Sequence, residues 1–329
     1  MLSEYTHTAE SAKKEMNRLG LKQKPFLFII DFLMEKPIVI PLDKIDPSLI
    51  LYRFNNLTNH DESAIAGCDV QFKRDPISFE NYLTSFNKVM EHIAFGNSYL
   101  VNLTAETPIQ TNKSLKEIYL QSKAAFKLLV DNQFTLFSPE PFVLINNNSI
   151  RSFPMKGTID ANEPDAEEQI MNNHKELAEH HTIVDLIRND LNMVSKRVHV
   201  ERFRYIDRLK TNHGELLQVS SEIAGELSPE WYKSPGDILF SLLPAGSVSG
   251  APKKKTIENI LEAETHQRNY YTGITGIYNG DSLISSVMIR FIEQRTESLY
   301  FKSGGDITIH SDAKTEYNEM IRKVYVATD

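Results

Sequence analysis

What most restricts this chain is the order in which its apolar segments come. Short strand-like runs follow one another with only turns between them: FTLFS at 134–138, PFVLI at 141–145 and SIRSF at 149–153. Asn146, Asn147 and Asn148 separate the last two runs. Asparagine tolerates left-handed turn conformations, so the triplet reads as a turn. Further strand-like runs lie at 26–40, where Phe26, Phe28 and Ile30 alternate, and at 98–104, 198–205, 216–226, 271–278, 283–292 and 298–302. Helical periodicity is scattered among them and never alternates regularly with strands. Regular βα alternation would demand a parallel sheet; its absence predicts an α+β fold.

The helices carry their own signals. Over 78–95, Phe79, Tyr82, Phe86, Val89, Met90 and Ile93 share one face, and Gly96 stops the segment. Ser114 with Glu117 is a capping-box start, predicting a helix to about Val130. A long helix is expected from Pro164 to about Leu191, and others at 236–243, 253–264 and 313–326, with Pro252 near the first turn of the third. A Gly304-Gly305 pair between YFKS and ITIHS reads as a hairpin turn. The 329 residues show no low-complexity linker or internal repeat, which favours one domain over 1–329.

Composition excludes several functions. The net charge of −8 argues against a sequence-independent grip on nucleic acid, which needs a basic surface. It leaves room for a small anionic substrate, because a divalent cation can invert the field locally. The polar start MLSEYTHTAESAKKEMNRLG lacks a signal-peptide core, and the apolar run 26–30 is too short to span a bilayer, so no membrane role and a cytoplasmic location are expected. The single cysteine, Cys68, allows neither an internal disulfide nor a cysteine-rich metal site.

Three constellations can carry chemistry. Glu176 and Glu179 in HKELAEHH, and Glu316 and Glu319 in TEYNEMIRK, are spaced to share a helix face. Each pair is either a solvated face or half of a four-carboxylate cluster, which is costly unless a hard divalent cation sits in it. The loop GSVSGAPKKKT has small residues that let backbone approach a ligand, ahead of a helix N-terminus, but it lacks the phosphate-loop spacing. Lys156 in FPMKGT is either surface decoration or a positioned amine.

Taken in order, these pieces resemble the chorismate-utilising enzymes, the family of anthranilate synthase component I, aminodeoxychorismate synthase component I and the isochorismate and salicylate synthases. The resemblance runs through MNRLG, PFLFIIDF, GNSYLVNLT, SPEPF, FPMKGT, IVDLIRNDL, GSVSGAPKKKTIENI, MIRF and SGGDITIHSDAKTEYNE, with residues before about 70 shorter and less well matched. It implies antiparallel sheets enclosing the active site, with helices packed outside. It implies that Glu176, Glu179, Glu316 and Glu319 bind Mg²⁺, which holds the ring carboxylate of chorismate. Arg290 would grip the enolpyruvyl carboxylate, a task suited to a planar guanidinium. Gly304 and Gly305 would bring backbone donors to a carboxylate, and Tyr271, Ser247, Gly157 and Thr158 would line the pocket. Asp185, Arg188, Asn189 and Asp190 belong to a family signature read here as scaffold.

Within the family, the lysine in Pro154-Met155-Lys156-Gly157-Thr158 is similar to that of the aminodeoxychorismate synthase branch, where anthranilate synthases carry alanine. The resemblance then implies amination of chorismate at C4 on the way to para-aminobenzoate and folate, through a covalent adduct on Lys156. Glu140 would be the acid that assists hydroxyl departure. Burial is expected to hold Lys156 neutral, and anionic surroundings to keep Glu140 protonated. Leu100 stands where isochorismate synthases have a lysine base. Leu217 stands near a histidine of many relatives, with His213 nearby. Asp306 takes the place of a second carboxylate-binding glycine, an uncomfortable neighbour for a dianionic substrate unless it points away. Without a glutaminase nucleophile, ammonia would come from a separate glutamine amidotransferase subunit, and the short N-terminal part predicts no tryptophan feedback. The alternatives are anthranilate synthase component I and a non-catalytic chorismate-binding regulatory subunit.

Overall fold

The computed structural model of the chain describes residues 2–61, 71–211 and 214–325. Cys68 and His213 lie outside the described residues. Two nine-stranded sheets, every pairing antiparallel, form the body of the protein. The first runs in the order Met155–Asp160, Gly214–Glu226, Ser149–Ser152, Pro141–Asn146, Leu283–Val287, Ile274–Tyr278, Phe26–Ile30 and Ile38–Pro41, with Lys196–Thr211 also on Gly214–Glu226. The second runs Gly250–Ala251, Leu100–Thr111, Ser298–Ile307, Phe291–Arg295, Phe134–Ser138, Phe126–Val130, Ile50–Phe54 and Leu57–Thr58, with Phe72–Arg74 on Leu100–Thr111. The α+β expectation therefore holds. Both sheets draw on the first sixty residues: Phe26–Ile30 pairs with Ile274–Tyr278, and Ile50–Phe54 with Phe126–Val130.

The strand FLFII shows how the layers are glued. Every residue in it is buried, because each face meets a different core. Phe26, Phe28 and Ile30 join Met16, Leu19, Ile183 and Leu239 from the helices outside. Leu27 and Ile29 point the other way, into a cluster with Tyr52, Phe54, Leu128, Phe134 and Phe291 from the second sheet. The outer face of the second sheet is covered in turn by Phe79–Phe95, Lys253–Ala263 and Ala313–Arg322, through Val89, Ile260 and Met320 against Val101, Leu103 and Ile307.

The helix Phe79–Phe95 has its ends where the sequence puts them: the Ser78 hydroxyl accepts from Asn81 N, and Gly96 is left-handed with φ +88°. The asparagine turn forms with Asn147 and Asn148 at φ +48° and +61°. Four readings need correction. The capping box at Ser114 and Glu117 is present, but its helix is only Leu115–Gln121, because FKLLV pairs along both edges as a strand. The expected helix over 164–191 is two, Ala166–Asn172 and His174–Asn192, divided at Asn173, whose side chain caps the second. The run 283–292 is split around Arg290, which has φ +53°. Gly304 and Gly305 are no turn; they lie inside the continuous strand Ser298–Ile307, opposite Thr104 and Leu103. A Cβ on Gly304 would stand 2.4 Å from the Leu103 carbonyl oxygen, so close strand approach is what requires glycine there. The helix Ala9–Leu21 carried no expectation, and among the described residues no helix is long and apolar enough to cross a membrane.

Candidate active site

Lys156 sits on a strand irregularity. Met155 pairs with Ser220 and Thr158 with Gln218, so Lys156 and Gly157 together oppose one residue. Such a bulge re-aims side chains, and Gly157 supports it with φ +83°. The lysine points inward. Its Nζ forms an ion pair with Asp306 and stands 3.5 Å from Glu179 Oε2, with the three side chains 17%, 7% and 11% exposed. Asp306 is held from its other oxygen by Asn102 Nδ2 at 2.8 Å. Thr158, by contrast, is exposed.

This geometry settles how Asp306 points and overturns the expectation of a neutral Lys156. Asp306 does not point away from the pocket; it points at Lys156. Burial alone would push the Lys156 ammonium down, but the carboxylates of Asp306, Glu179 and Glu176 outweigh it and hold the group above its ordinary value. Lys156 is therefore a charged, paired ammonium in this structure, not a neutral amine. The reason is local charge balance, which the backbone pattern alone does not reveal.

Glu140 follows strand Phe134–Ser138, where its N–H donates to Ser138 Oγ at 3.1 Å and its carbonyl accepts from Val287 N at 3.1 Å. Its Oε1 accepts from Ser247 Oγ at 2.6 Å. Burial pushes its carboxyl up from the ordinary range; the Ser247 hydrogen bond pulls down, the Asp306 charge pushes up, and Lys156 and Arg290 pull down, leaving it raised. That is the state in which a carboxylic acid can donate a proton. Ser247 itself lies in the short turn Gly246–Val248. The turn is braced by Arg268 Nη1 donating to Val248 O at 2.8 Å and by Leu186 and Asp190 of helix His174–Asn192, which stand 3.0 and 3.1 Å from where a Gly246 Cβ would be. The signature residue Asp190 thus serves the loop, also pairing with Lys253 at 2.7 Å.

The four glutamates come from the two helices His174–Asn192 and Ala313–Arg322. Glu176 Oε2 lies 3.4 Å from where a Gly157 Cβ would be, and Glu316 Oε2 and Glu319 Oε1 lie 3.6 and 3.9 Å from the same point on Gly305. Both pairs therefore flank the Lys156 and Asp306 pocket. Among the described residues no group of three or more histidine, cysteine or acidic side chains stands at metal-holding spacing as placed. Two ammonium groups hold members of the set: Lys156 is near Glu179, and Lys323 Nζ is 2.7 Å from Glu319 and 2.9 Å from the Gly304 carbonyl. The Lys323 charge keeps the Glu319 carboxyl low despite the upward push of burial. An all-oxygen donor set fits a hard cation such as Mg²⁺.

Arg290 Nε donates to Tyr325 Oη at 3.3 Å, and among the described residues no carboxylate is paired with its guanidinium. Tyr271 is buried against Phe291, and burial keeps its phenol protonated. Leu100 is buried and Leu217 is core, so neither faces the pocket as a polar group. Sequence reading missed Asn102 and Lys323. Lys323 had a signal, since it follows Glu319 at helical i,i+4 spacing. Asn102 had none, because only the register Asp306 opposite Asn102 brings it in.

A profile of the chorismate binding enzymes matches residues 53–329. This chain is a chorismate-binding enzyme family member. It is 49% identical over 313 residues to an "Uncharacterized PabA-like protein" of Haemophilus influenzae, covering 95% of each chain. It is 30% identical over 266 residues to aminodeoxychorismate synthase component 1 of Bacillus subtilis, covering 76% of this chain and 55% of that one. Among solved structures, anthranilate synthase component I of Streptococcus pneumoniae matches with a TM-score of 0.66 at 24% identity, over 77% of this chain and 58% of that one. The family member described here thus spans just over half the length of these two synthases, and the last likeness bears on the fold alone.

Proposed function

We propose that this chain aminates chorismate at C4 with ammonia, giving 4-amino-4-deoxychorismate through a covalent adduct on Lys156. The observation that carries this reading is the pairing in one pocket of an inward lysine with a raised, hydroxyl-anchored Glu140. Lys156 first gives a proton to a neighbouring carboxylate, Asp306 being in contact with it. Its amine then forms a bond to ring C2, the two ring double bonds shift toward C4, and the C4 hydroxyl leaves as water with the Glu140 proton. Ammonia next adds at C4, the double bonds shift back, and the C2–N bond breaks to release Lys156. The added nitrogen returns its extra proton to the Glu140 carboxylate, and the released Lys156 amine takes its proton back from the carboxylate that held it, so both groups are restored. Arg290, with no carboxylate partner among the described residues, suits a substrate carboxylate. Glu176, Glu179, Glu316 and Glu319 would hold Mg²⁺, which would neutralise the ring carboxylate when bound. Ammonia would come from a separate glutamine amidotransferase subunit.

The test supplies chorismate, an ammonium salt and Mg²⁺ with an added aminodeoxychorismate lyase. The expected product is 4-aminobenzoate; anthranilate would assign the other branch. Without ammonia, intact-protein mass spectrometry is expected to show a chorismate-derived adduct that Lys156→Ala abolishes.

A further inference from the structure

The contact between Ser247 and Glu140 crosses the molecule. Glu140 is fixed by its main chain between Ser138 and Val287, at the junction of the two sheets. Ser247 comes from a turn that belongs to neither sheet and is braced by Arg268, by Leu186 and by Asp190. A 2.6 Å hydroxyl contact between two independently braced elements is a designed distance rather than a surface coincidence. The hydroxyl donates to Oε1. A carboxylic acid whose one oxygen already accepts such a bond carries its proton on the other, so the donation from Ser247 leaves Oε2 as the oxygen that holds the proton.

We infer that Ser247 is a positioning residue that selects which oxygen of Glu140 bears the transferable proton and fixes the rotamer that presents it. This deepens the proposed function and rests on it only for the identity of Glu140 as the acid. The groups that act on the Glu140 carboxyl are Asp306 from Ser298–Ile307, Lys156 from Met155–Asp160 and Arg290 beside Phe291–Arg295. Beside these three, Ser247 donates the hydrogen bond that the carboxyl accepts among the described residues. Removing the hydroxyl removes a bond that favours the ionised carboxyl, so the Glu140 titration moves to higher pH; restoring a hydroxyl returns it.

The experiment compares wild type, Ser247→Ala and Ser247→Thr by infrared difference titration of the protonated carboxyl band, assigned by its loss in Glu140→Gln, alongside the pH profile of kcat for chorismate amination. In Ser247→Ala the band is expected to titrate at higher pH and to shift toward the position of a less hydrogen-bonded carboxyl. The alkaline limb of kcat should move the same way, with the plateau down about tenfold, the scale of one lost hydrogen bond. Ser247→Thr should return both. A Glu140 band that titrates identically in wild type and Ser247→Ala overturns the inference. If the band moves and the kcat limb does not, Ser247 does position Glu140, and the assignment of Glu140 as the acid in the proposed function is what fails.

Discussion

The two sides of the pocket hold their protons by opposite means. Glu140 is shifted toward its protonated form because burial penalises its charged form, and the Ser247 hydroxyl, Lys156 and Arg290 do not compensate. Lys156 keeps its proton although burial penalises its charged form, because Asp306 and then Glu179 compensate fully. One group is protonated for want of partners, the other for their abundance. An acid–base pair with opposite shifts would hold a free base; here both groups are shifted toward their protonated forms. On the proposed reading the amine becomes a nucleophile only once the carboxylates around it are drawn away or neutralised. A cation is the natural agent on that reading, since it would compete with Lys156 for the carboxylates of Glu179 and Glu176. The comparison separates a side that is ready in the resting protein from one that is assembled on binding.

Removing the cation should break that assembly most severely. With excess chelator, turnover of chorismate is expected to fall to background and to return with Mg²⁺, whereas the Glu140 carboxyl band should stay where it is. Full activity in chelator would remove the four glutamates from the reaction. Next in size are the two reacting side chains. Lys156→Ala and Glu140→Gln should each lower kcat by about 10²–10⁴-fold, the range of a positioned proton-transfer or nucleophilic group. Their defects should differ in kind: the Glu140 variant still binds chorismate and is expected to form adduct slowly, and the Lys156 variant forms none, as read by intact mass.

Asp306 joins the two sides, so it gives a smaller but more telling effect. Its charge raises both Lys156 and Glu140. In Asp306→Asn both groups lose that push, and both limbs of the pH–rate profile should move to lower pH. Adduct formation should then be measurable at lower pH values where wild type is slow, while the alkaline limb set by Glu140 lowers the window's upper edge. A shift confined to one limb would show that the two sides are independent.

How much of this was legible in the sequence follows the same division. The strand order, the capped helix after Ser78, the asparagine turn and the glutamate pairs at i,i+3 rest on local patterns, and the structure shows them. The helix expected beyond Gln121 failed because FKLLV is apolar enough for either state, and pairing on both edges decides it. Gly304 and Gly305 read as a turn because close approach between strands and a turn leave the same trace in a sequence. At the pocket, the residue types of Lys156 and Glu140 and the upward shift of Glu140 were legible, but the charge on Lys156 was not. That depends on Asp306 facing inward, which follows from the register of Ser298–Ile307 against Leu100–Thr111 and from the bulge at Lys156.

The smallest effect should come from a residue that touches neither reacting group. Asp190 holds Lys253 at 2.7 Å, and Lys253 in turn donates to the Leu242 carbonyl, closing the loop that carries Ser247. Burial pushes the Asp190 carboxyl up and the Lys253 ammonium down, and the pair offsets part of both penalties. Asp190→Asn leaves Lys253 only a carbonyl, at a cost of about 1–3 kcal/mol after allowing for its partial exposure. Stability should fall by that amount in a denaturant titration. Turnover should fall only about threefold, because Arg268 still braces the turn from the other side. The loss should be borne by the Glu140 side alone: adduct formation on Lys156, which needs the Glu140 proton for hydroxyl departure, slows together with kcat, while the affinity for chorismate stays near wild type. A matching loss of chorismate affinity would mean that the loop supports the whole pocket and that the two sides are less separate than their charges suggest.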